Sequence, residues 1–145
     1  MNHSYDRGGM ENKIKHLEMI ENVIERMGNN SFQLKGWAVT LVSIIGALAA
    51  RETDKRFFLI AFVPLIAFWA IDSFYLQTER KYKELYKKVQ FKKEEDIDFD
   101  MDTSYIKTEN THMSYWNCVW SKTESFFYGS IIAAVLILAF ILKVW

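Results

Sequence analysis

The sequence predicts an all-α integral membrane protein, because three long apolar stretches alternate with highly charged ones. A bilayer core is about 30 Å thick and a helix rises about 1.5 Å per residue, so one span needs roughly 20 mostly apolar residues. Residues 32–50, 57–76 and 126–145 meet this requirement. The alternative is three core helices of a water-soluble domain, but a chain of 145 residues has too little polar sequence to cover them. We therefore expect three transmembrane helices, with cytoplasmic amphipathic helices between and before them.

Residues 32–76 are expected to form a transmembrane hairpin. The two apolar arms are joined by RETDKR, residues 51–56, whose five charges suit a turn in water. Lys35 stands at the entrance of the first arm and is expected to extend towards the lipid headgroups. Asp72 lies one turn before the end of the second arm. It is either an interfacial helix end or part of a cation path or gate.

The third span, residues 126–145, carries no charge before Lys143, and it ends on Trp145, a residue typical of membrane interfaces. Small residues four positions apart let helices approach each other closely. The third span has two such pairs, Gly129 with Ala133 and Ser130 with Ala134.

Small or weakly polar side chains also share one face of the first span, at Gly36, Thr40, Ser43 and Ala47. Together with Asp72, they are the candidate pore or gate residues. Three spans are too few to enclose a water path, so any pore must form on the axis of a homo-oligomer.

Residues 1–31 are expected to form a cytoplasmic amphipathic helix. Apolar residues recur at steps of three or four, at Met10, Ile14, Leu17, Ile20, Ile24 and Met27. Gly28, Asn29 and Asn30 predict the end of this helix, and Ser31 is placed to cap the next one.

Residues 77–125 are expected to lie in the cytoplasm as a basic helix, an acidic segment and a loop. Seven Lys or Arg residues fall between positions 80 and 93, against three in the turn 51–56. Because cytoplasmic loops are enriched in positive charge, this difference places the N-terminus inside and the turn outside.

The basic helix is the candidate ligand-binding surface, because it interleaves cations with aromatic rings. Membrane topology alone can account for such charges, and anionic lipid headgroups or an oligonucleotide or nucleotide can also bind such a surface. The candidate ligand-binding residues are Arg80, Lys83, Lys87, Lys88, Lys92, Lys93, Tyr82 and Tyr86.

The acidic segment, residues 94–102, alternates carboxylates with apolar residues, which predicts a short extended segment with one side laid on another surface. Asp98, Asp100, Asp102 and Glu109 have the spacing of a calcium loop. However, Thr103 stands where that loop needs Gly, so a solvated acidic segment facing the basic helix is the favoured interpretation.

Catalysis is not expected. His3, His16 and His112 have no metal-ligand spacing, and no His/Asn pattern accompanies Cys118, the single cysteine. The sequence thus predicts neither an enzyme nor a bound cofactor or metal.

Four stretches carry a resemblance to a known family: SFQLKGWAVTLVSIIGALAA, FWAIDSFYLQTERKYKELYKKV, FDMDTSYI and SKTESFFYG. They resemble small bacterial membrane effectors of anti-phage defence, the family of the channel-forming Hailong effectors, over roughly residues 14–140. SLATT-type effectors share the general layout.

The resemblance implies a homo-oligomeric ion channel of the bacterial inner membrane, with a tetramer as the expected form, that arrests growth when open. It also implies inhibition by short oligodeoxyadenylate made by a partner nucleotidyltransferase. The alternative from another functional class is a non-conducting membrane anchor that recruits a cytosolic partner through Ile14, Leu17 and Ile24.

Overall fold

Long helices form most of the protein. In this computed structural model the chain is described at residues 3–49, 51, 59–106 and 112–141. The helices are α1 (His3–Ala49), α2 (Phe62–Phe91), α3 (Tyr115–Val119) and α4 (Lys122–Ile141), and a 3-10 turn spans Glu94–Asp96. The part of the chain that is described contains no strand. The expectation of an all-α protein is confirmed.

Three of these helices are long and apolar enough to cross a membrane, judged by length and composition. Their large apolar side chains mostly point outward, whereas a water-soluble bundle would bury them. The most exposed side chains in the apolar parts include Phe32, Trp37, Val63, Phe126, Phe140 and Ile141. This outward apolar surface fits lipid contact and does not fit three core helices of a soluble domain.

α1 is one continuous helix of 47 residues, or about 70 Å at 1.5 Å per residue. The helix end predicted at Gly28, Asn29 and Asn30 is therefore wrong, and the predicted domain boundary at residue 31 falls inside the helix. Glycine and asparagine only weakly disfavour helix, and packing against α2 on both sides of this position overrides that preference. Ser31 caps no helix, and its hydroxyl accepts a hydrogen bond from Lys35.

α2 crosses the predicted span and continues as the basic helix to Phe91, as the sequence indicated. It begins at Phe62 after a 3-10 turn at residues 59–61. Pro64 falls in its first turn, where a missing backbone N–H costs no helical hydrogen bond. Of the predicted turn 51–56, only Arg51 lies among the described residues.

α1 and α2 run antiparallel and form the most extensive contact of the fold. Ile20 packs with Leu85 at one end of the pair, and Ala38 packs with Leu65 towards the other. Because both helices are longer than a bilayer core, their outer halves form a two-helix extension beyond the three-helix part.

α4 lies beside this pair, parallel to α1. Tyr128 packs with Ala38, and further along the helix Val135 and Ala139 pack with Ala49. α4 begins at Lys122, one turn before the predicted start of the third span at residue 126, so it also includes Glu124. Lys143 and Trp145 lie outside the described residues.

The two-helix extension has its own apolar core, centred on Ile20, Leu85 and Val89. Ile106 and Met113 complete this core. The described residues that follow α2, up to Met113, thus fold back onto the extension and are called the returning chain. This return path brings the acidic segment against the basic helix.

Candidate functional site

A cluster of charged side chains lies buried where the three long helices meet. Lys35 of α1 forms ion pairs with Asp72 of α2 and Glu124 of α4. Its Nζ lies 2.9 Å from Glu124 Oε1 and 2.9 Å from Ser31 Oγ. The Lys35 side chain is 16% exposed, Asp72 0% and Glu124 2%. One ammonium therefore links all three candidate spans.

Aromatic residues of the apolar core border the cluster. The Tyr128 hydroxyl donates a hydrogen bond of 3.0 Å to Asp72 Oδ2. The ring of Tyr128 stacks on Trp69, with centroids 5.7 Å apart. Lys35 Nζ also lies 5.8 Å from the centroid of the Phe127 ring, within range of a cation–π contact. The surroundings therefore contain rings and few other polar groups, which strengthens each ionic interaction inside.

The charges of the cluster do not balance when every group is ionised. Two carboxylates face one ammonium, which leaves one excess negative charge. Asp72 Oδ1 and Glu124 Oε2 are buried and have no hydrogen-bond partner among the described residues. Buried ions without full pairing are strongly disfavoured. Among the described residues, two of the four buried side-chain polar atoms without a hydrogen-bond partner therefore belong to this cluster.

Two sequence-based expectations fail at this cluster. Lys35 does not extend to the headgroups, because two buried carboxylates attract its ammonium inward. Asp72 is not at a helix end, because α2 continues to Phe91, and it is fully buried within the chain. Its role in a cation path or gate stays a prediction.

Glu124 and Tyr128 were not identified from the sequence, although a signal for Glu124 existed. Near its end on the predicted cytoplasmic side, each predicted span has a charged residue within about one turn of that end, namely Lys35, Asp72 and Glu124. With alternating spans, these three ends lie on the same side of the bilayer. Opposite charges at one depth in an apolar environment are expected to pair.

The small residues of the first span face away from the rest of the chain. Gly36, Thr40, Ser43 and Ala47 are all exposed, and Ala38 points inward instead. The two hydroxyls donate only to backbone oxygens one turn earlier in α1, at Gly36 and Val39. This face therefore does not pack against any other described part of the chain and is available to a second copy or to water.

Two of the basic side chains on α2 pair with acidic neighbours on the same helix. Lys83 pairs with Glu79, and Lys87 Nζ lies 3.6 Å from Glu84 Oε2. Lys88 Nζ lies 4.7 Å from the centroid of the Tyr105 ring.

The other predicted ligand-binding residues lie closer to the returning chain. Arg80 donates to the carbonyl of His112 and lies 3.5 Å from Cys118 Sγ. Tyr82 and Tyr86 pack against the core of the extension. Lys93 Nζ lies 3.7 Å from Glu95 Oε1. The ligand-binding role of these residues stays a prediction.

The acidic segment docks on the extension, as its alternating pattern indicated, but it forms no strand. Ile97 and Met101 pack on the apolar core, and the backbone at Ile97 is extended. Phe99 has φ 55°, a left-handed conformation that is uncommon for residues other than Gly, and its ring lies beside His16. Packing of these side chains against α1 and α2 holds the segment in place, and no neighbouring strand among the described residues is there to pair with it.

Lys92 holds the acidic segment against the end of α2. Its Nζ lies 2.8 Å from Asp98 Oδ2, and this hydrogen bond lowers the pKa of Asp98 and raises that of Lys92. Lys13 of α1 donates a hydrogen bond of 2.8 Å to the Lys92 carbonyl. His16 is buried, with Nε2 3.1 Å from the Asp100 carbonyl oxygen.

The calcium alternative gains no support. Within the described ranges, no group of three His, Cys, Asp or Glu side chains is placed to hold a metal ion. Successive carboxylates accept from nearby backbone N–H groups, Asp98 from Asp100 and Asp102 from Ser104. Glu109 lies outside the described residues.

Cys118 is buried beside Arg80. Burial raises the pKa of its thiol, and the Arg80 guanidinium partly opposes this. A thiol kept protonated is a poor nucleophile.

Comparisons with known proteins identify no relative: no protein-family model, no curated protein and no solved structure matches this chain.

Proposed function

We propose that this protein is a homo-oligomeric ion channel of the bacterial inner membrane that arrests growth in anti-phage defence. One observation carries the channel part: the outward face of Gly36, Thr40, Ser43 and Ala47 on α1. Small residues allow close helix contacts, and hydroxyls can line a wetted surface. The defence role rests on the resemblance to the Hailong effectors alone.

In this proposal α1 lines the pore or borders it, and a tetramer is the expected assembly. The apolar side chains on the other faces of the bundle contact lipid. The N-terminus lies in the cytoplasm, as the distribution of positive charge predicts. The two-helix extensions of the subunits then form a collar over the cytoplasmic mouth of the pore.

The channel proposal predicts discrete single-channel currents from purified protein in planar bilayers. Cysteine is introduced at Thr40 or Ser43 in a Cys118→Ser background, which removes the single native thiol. A water-soluble cationic thiol reagent is expected to reduce the current of these variants, because their side chains face the conducting water. Phe140→Cys is the control, since Phe140 is 76% exposed on α4 and is expected to face lipid.

Two results would count against this assignment. Silence from folded, oligomeric protein would reject the channel. Equal modification of the current at Phe140 and at Thr40 would place the pore elsewhere. Silence would favour the anchor alternative, with Met10 and Ile14 as its contact, because they are 56% and 51% exposed. Leu17 and Ile24 pack inside the extension instead.

We further propose that a short oligodeoxyadenylate or related nucleotide, made by a partner nucleotidyltransferase, binds the basic helix and inhibits the channel. Lys83, Lys87 and Lys88 are exposed and lie on one side of α2. A polyanion must displace Glu79 and Glu84 from two of these lysines, and exposed pairs of this kind are weak.

Changing Lys83, Lys87 and Lys88 together to glutamine is expected to weaken oligodeoxyadenylate binding at least tenfold. It should also reduce the slope of the logarithm of the association constant against the logarithm of the salt concentration by about 2 in magnitude. The reason is that three phosphate contacts to a single strand are lost. Titrations at several salt concentrations measure both quantities. Lys122→Gln, on an exposed residue of α4, is the control and should change neither. Unchanged affinity and slope in the triple variant would exclude this surface.

A further inference from the structure

We propose that Asp72 and Glu124 hold one proton between them, so that the buried cluster is a proton-binding site. This protonation of the cluster does not depend on whether the protein conducts ions.

The charges of the cluster favour one bound proton. Asp72 comes from α2 and Glu124 from α4, and both carboxylates bind the single ammonium of Lys35 from α1. Tyr128 adds a hydroxyl that donates to Asp72 but brings no charge. With both acids ionised the site has a net charge of one negative unit. One added proton makes it neutral, which is the favoured state for a group buried among apolar and aromatic side chains.

The positions of the two carboxyl groups also suit a shared proton. Each acid has one oxygen bound to Lys35 and one buried oxygen without a partner in the described chain, Asp72 Oδ1 and Glu124 Oε2. Both carboxylates bind the same Lys35 ammonium, so the two side chains lie next to each other. Ionised carboxylates have no donor, so a hydrogen bond between them needs a proton on one of them. A protonated carboxyl that donates to its neighbour uses the free lone pairs and removes the excess charge in one step.

A metal ion fits the same place poorly. Hard cations take about six or more oxygen ligands, whereas the cluster offers two unpartnered oxygens. No third acidic, His or Cys side chain among the described residues joins them in a metal-binding group. The ammonium of Lys35 already occupies the space between the carboxylates.

The groups that face the two acids set the direction of the pH response. The Lys35 ammonium favours the ionised form of each acid, whereas burial and the neighbouring carboxylate favour the protonated form. On the α3 side, Cys118 is neutral because burial raises the pKa of its thiol, to which Glu124 adds in the same direction. As the pH rises and the proton leaves, a negative charge appears between the three helices. The contacts of α4 with α1 and α2 are then weakened.

Infrared spectroscopy of the full chain in lipid bilayers tests this. At neutral pH the wild type is expected to show the C=O stretch of a protonated carboxylic acid, shifted in D₂O and lost on alkaline titration. Carbon-13 in the side-chain carboxyls of Asp and Glu, introduced in turn, should shift this band. Glu124→Gln and Asp72→Asn should each abolish it, because the remaining carboxylate pairs with Lys35. Glu79→Gln, which alters a carboxylate paired with Lys83 outside the cluster, should leave it unchanged.

Absence of the band in the wild type would overturn the proposal, as would a band that persists in both Glu124→Gln and Asp72→Asn. If either variant fails to fold, the isotope-labelled wild type decides: a band that neither label shifts overturns the proposal, and a label-sensitive band supports it. Loss of the band when sodium replaces choline at constant pH would show that a metal cation occupies the site, and would also overturn it.

Discussion

Replacing Lys35 with methionine is expected to lower the free energy of unfolding by about 3–5 kcal/mol, because breaking a buried ion pair leaves uncompensated charge in an apolar site. Two carboxylates lose their shared partner here, at 0% and 2% exposure. Methionine keeps much of the length of the lysine stem, so the loss reports on charge more than on volume. Unfolding in mixed detergent micelles, followed by circular dichroism, measures it.

Lys83→Met is the matched control for this variant. It removes the same ammonium from an ion pair whose lysine is 55% exposed, and exposed pairs contribute about 0.2–1 kcal/mol. Combining Lys35→Met with Asp72→Asn and Glu124→Gln should restore most of the lost stability, since neutral amides can pair with each other and with Tyr128. An equal loss for Lys35→Met and Lys83→Met, or no recovery in the triple variant, would contradict the charge-based explanation.

Leu85→Ala is expected to lower the free energy of unfolding by about 2–5 kcal/mol, the range for a large apolar side chain removed from a packed core. Leu85 is 2% exposed and packs with Ile20, Val89 and Ile106. Because Ile106 belongs to the returning chain, hydrogen exchange of residues 97–106 is expected to accelerate before that of α4. Mass spectrometry of exchanging peptides resolves the two regions.

Ile14→Ala tests whether burial causes this effect. Ile14 is also an apolar residue of the two-helix extension but is 51% exposed, so its replacement should change stability by about 0.5 kcal/mol or less. Comparable losses at Ile14 and Leu85 would mean that the extension does not have the core described above.

Periodicity predicted which residues of the extension pack, but not all of them. Ile20 lies on the predicted apolar stripe of the N-terminal helix and is buried. Met10 and Ile14 lie on the same stripe as Ile20 and are exposed, because the returning chain covers only part of α1. A stripe shows which face of a helix can be buried and leaves open how far along the helix its partner extends.

Local sequence preference gave a wrong helix boundary in the middle of α1. Gly28, Asn29 and Asn30 resemble a helix end, yet helix propensity differs among residues by only about 1 kcal/mol. The contacts of Ile20 on one side and Ala38 on the other hold the backbone helical across this stretch. Tertiary packing outweighs a local preference of this size.

The sequence by itself determined the three apolar spans, the antiparallel pair and the basic helix after the second span. These features depend on length, hydropathy and periodicity, which are properties of consecutive residues. The partners of Lys35 and the outward direction of the Gly36–Ala47 face were decided only by the tertiary structure. The reason is physical: Lys35, Asp72 and Glu124 come from three separate helices, and only the rotation and depth of each helix bring their charges within bonding distance.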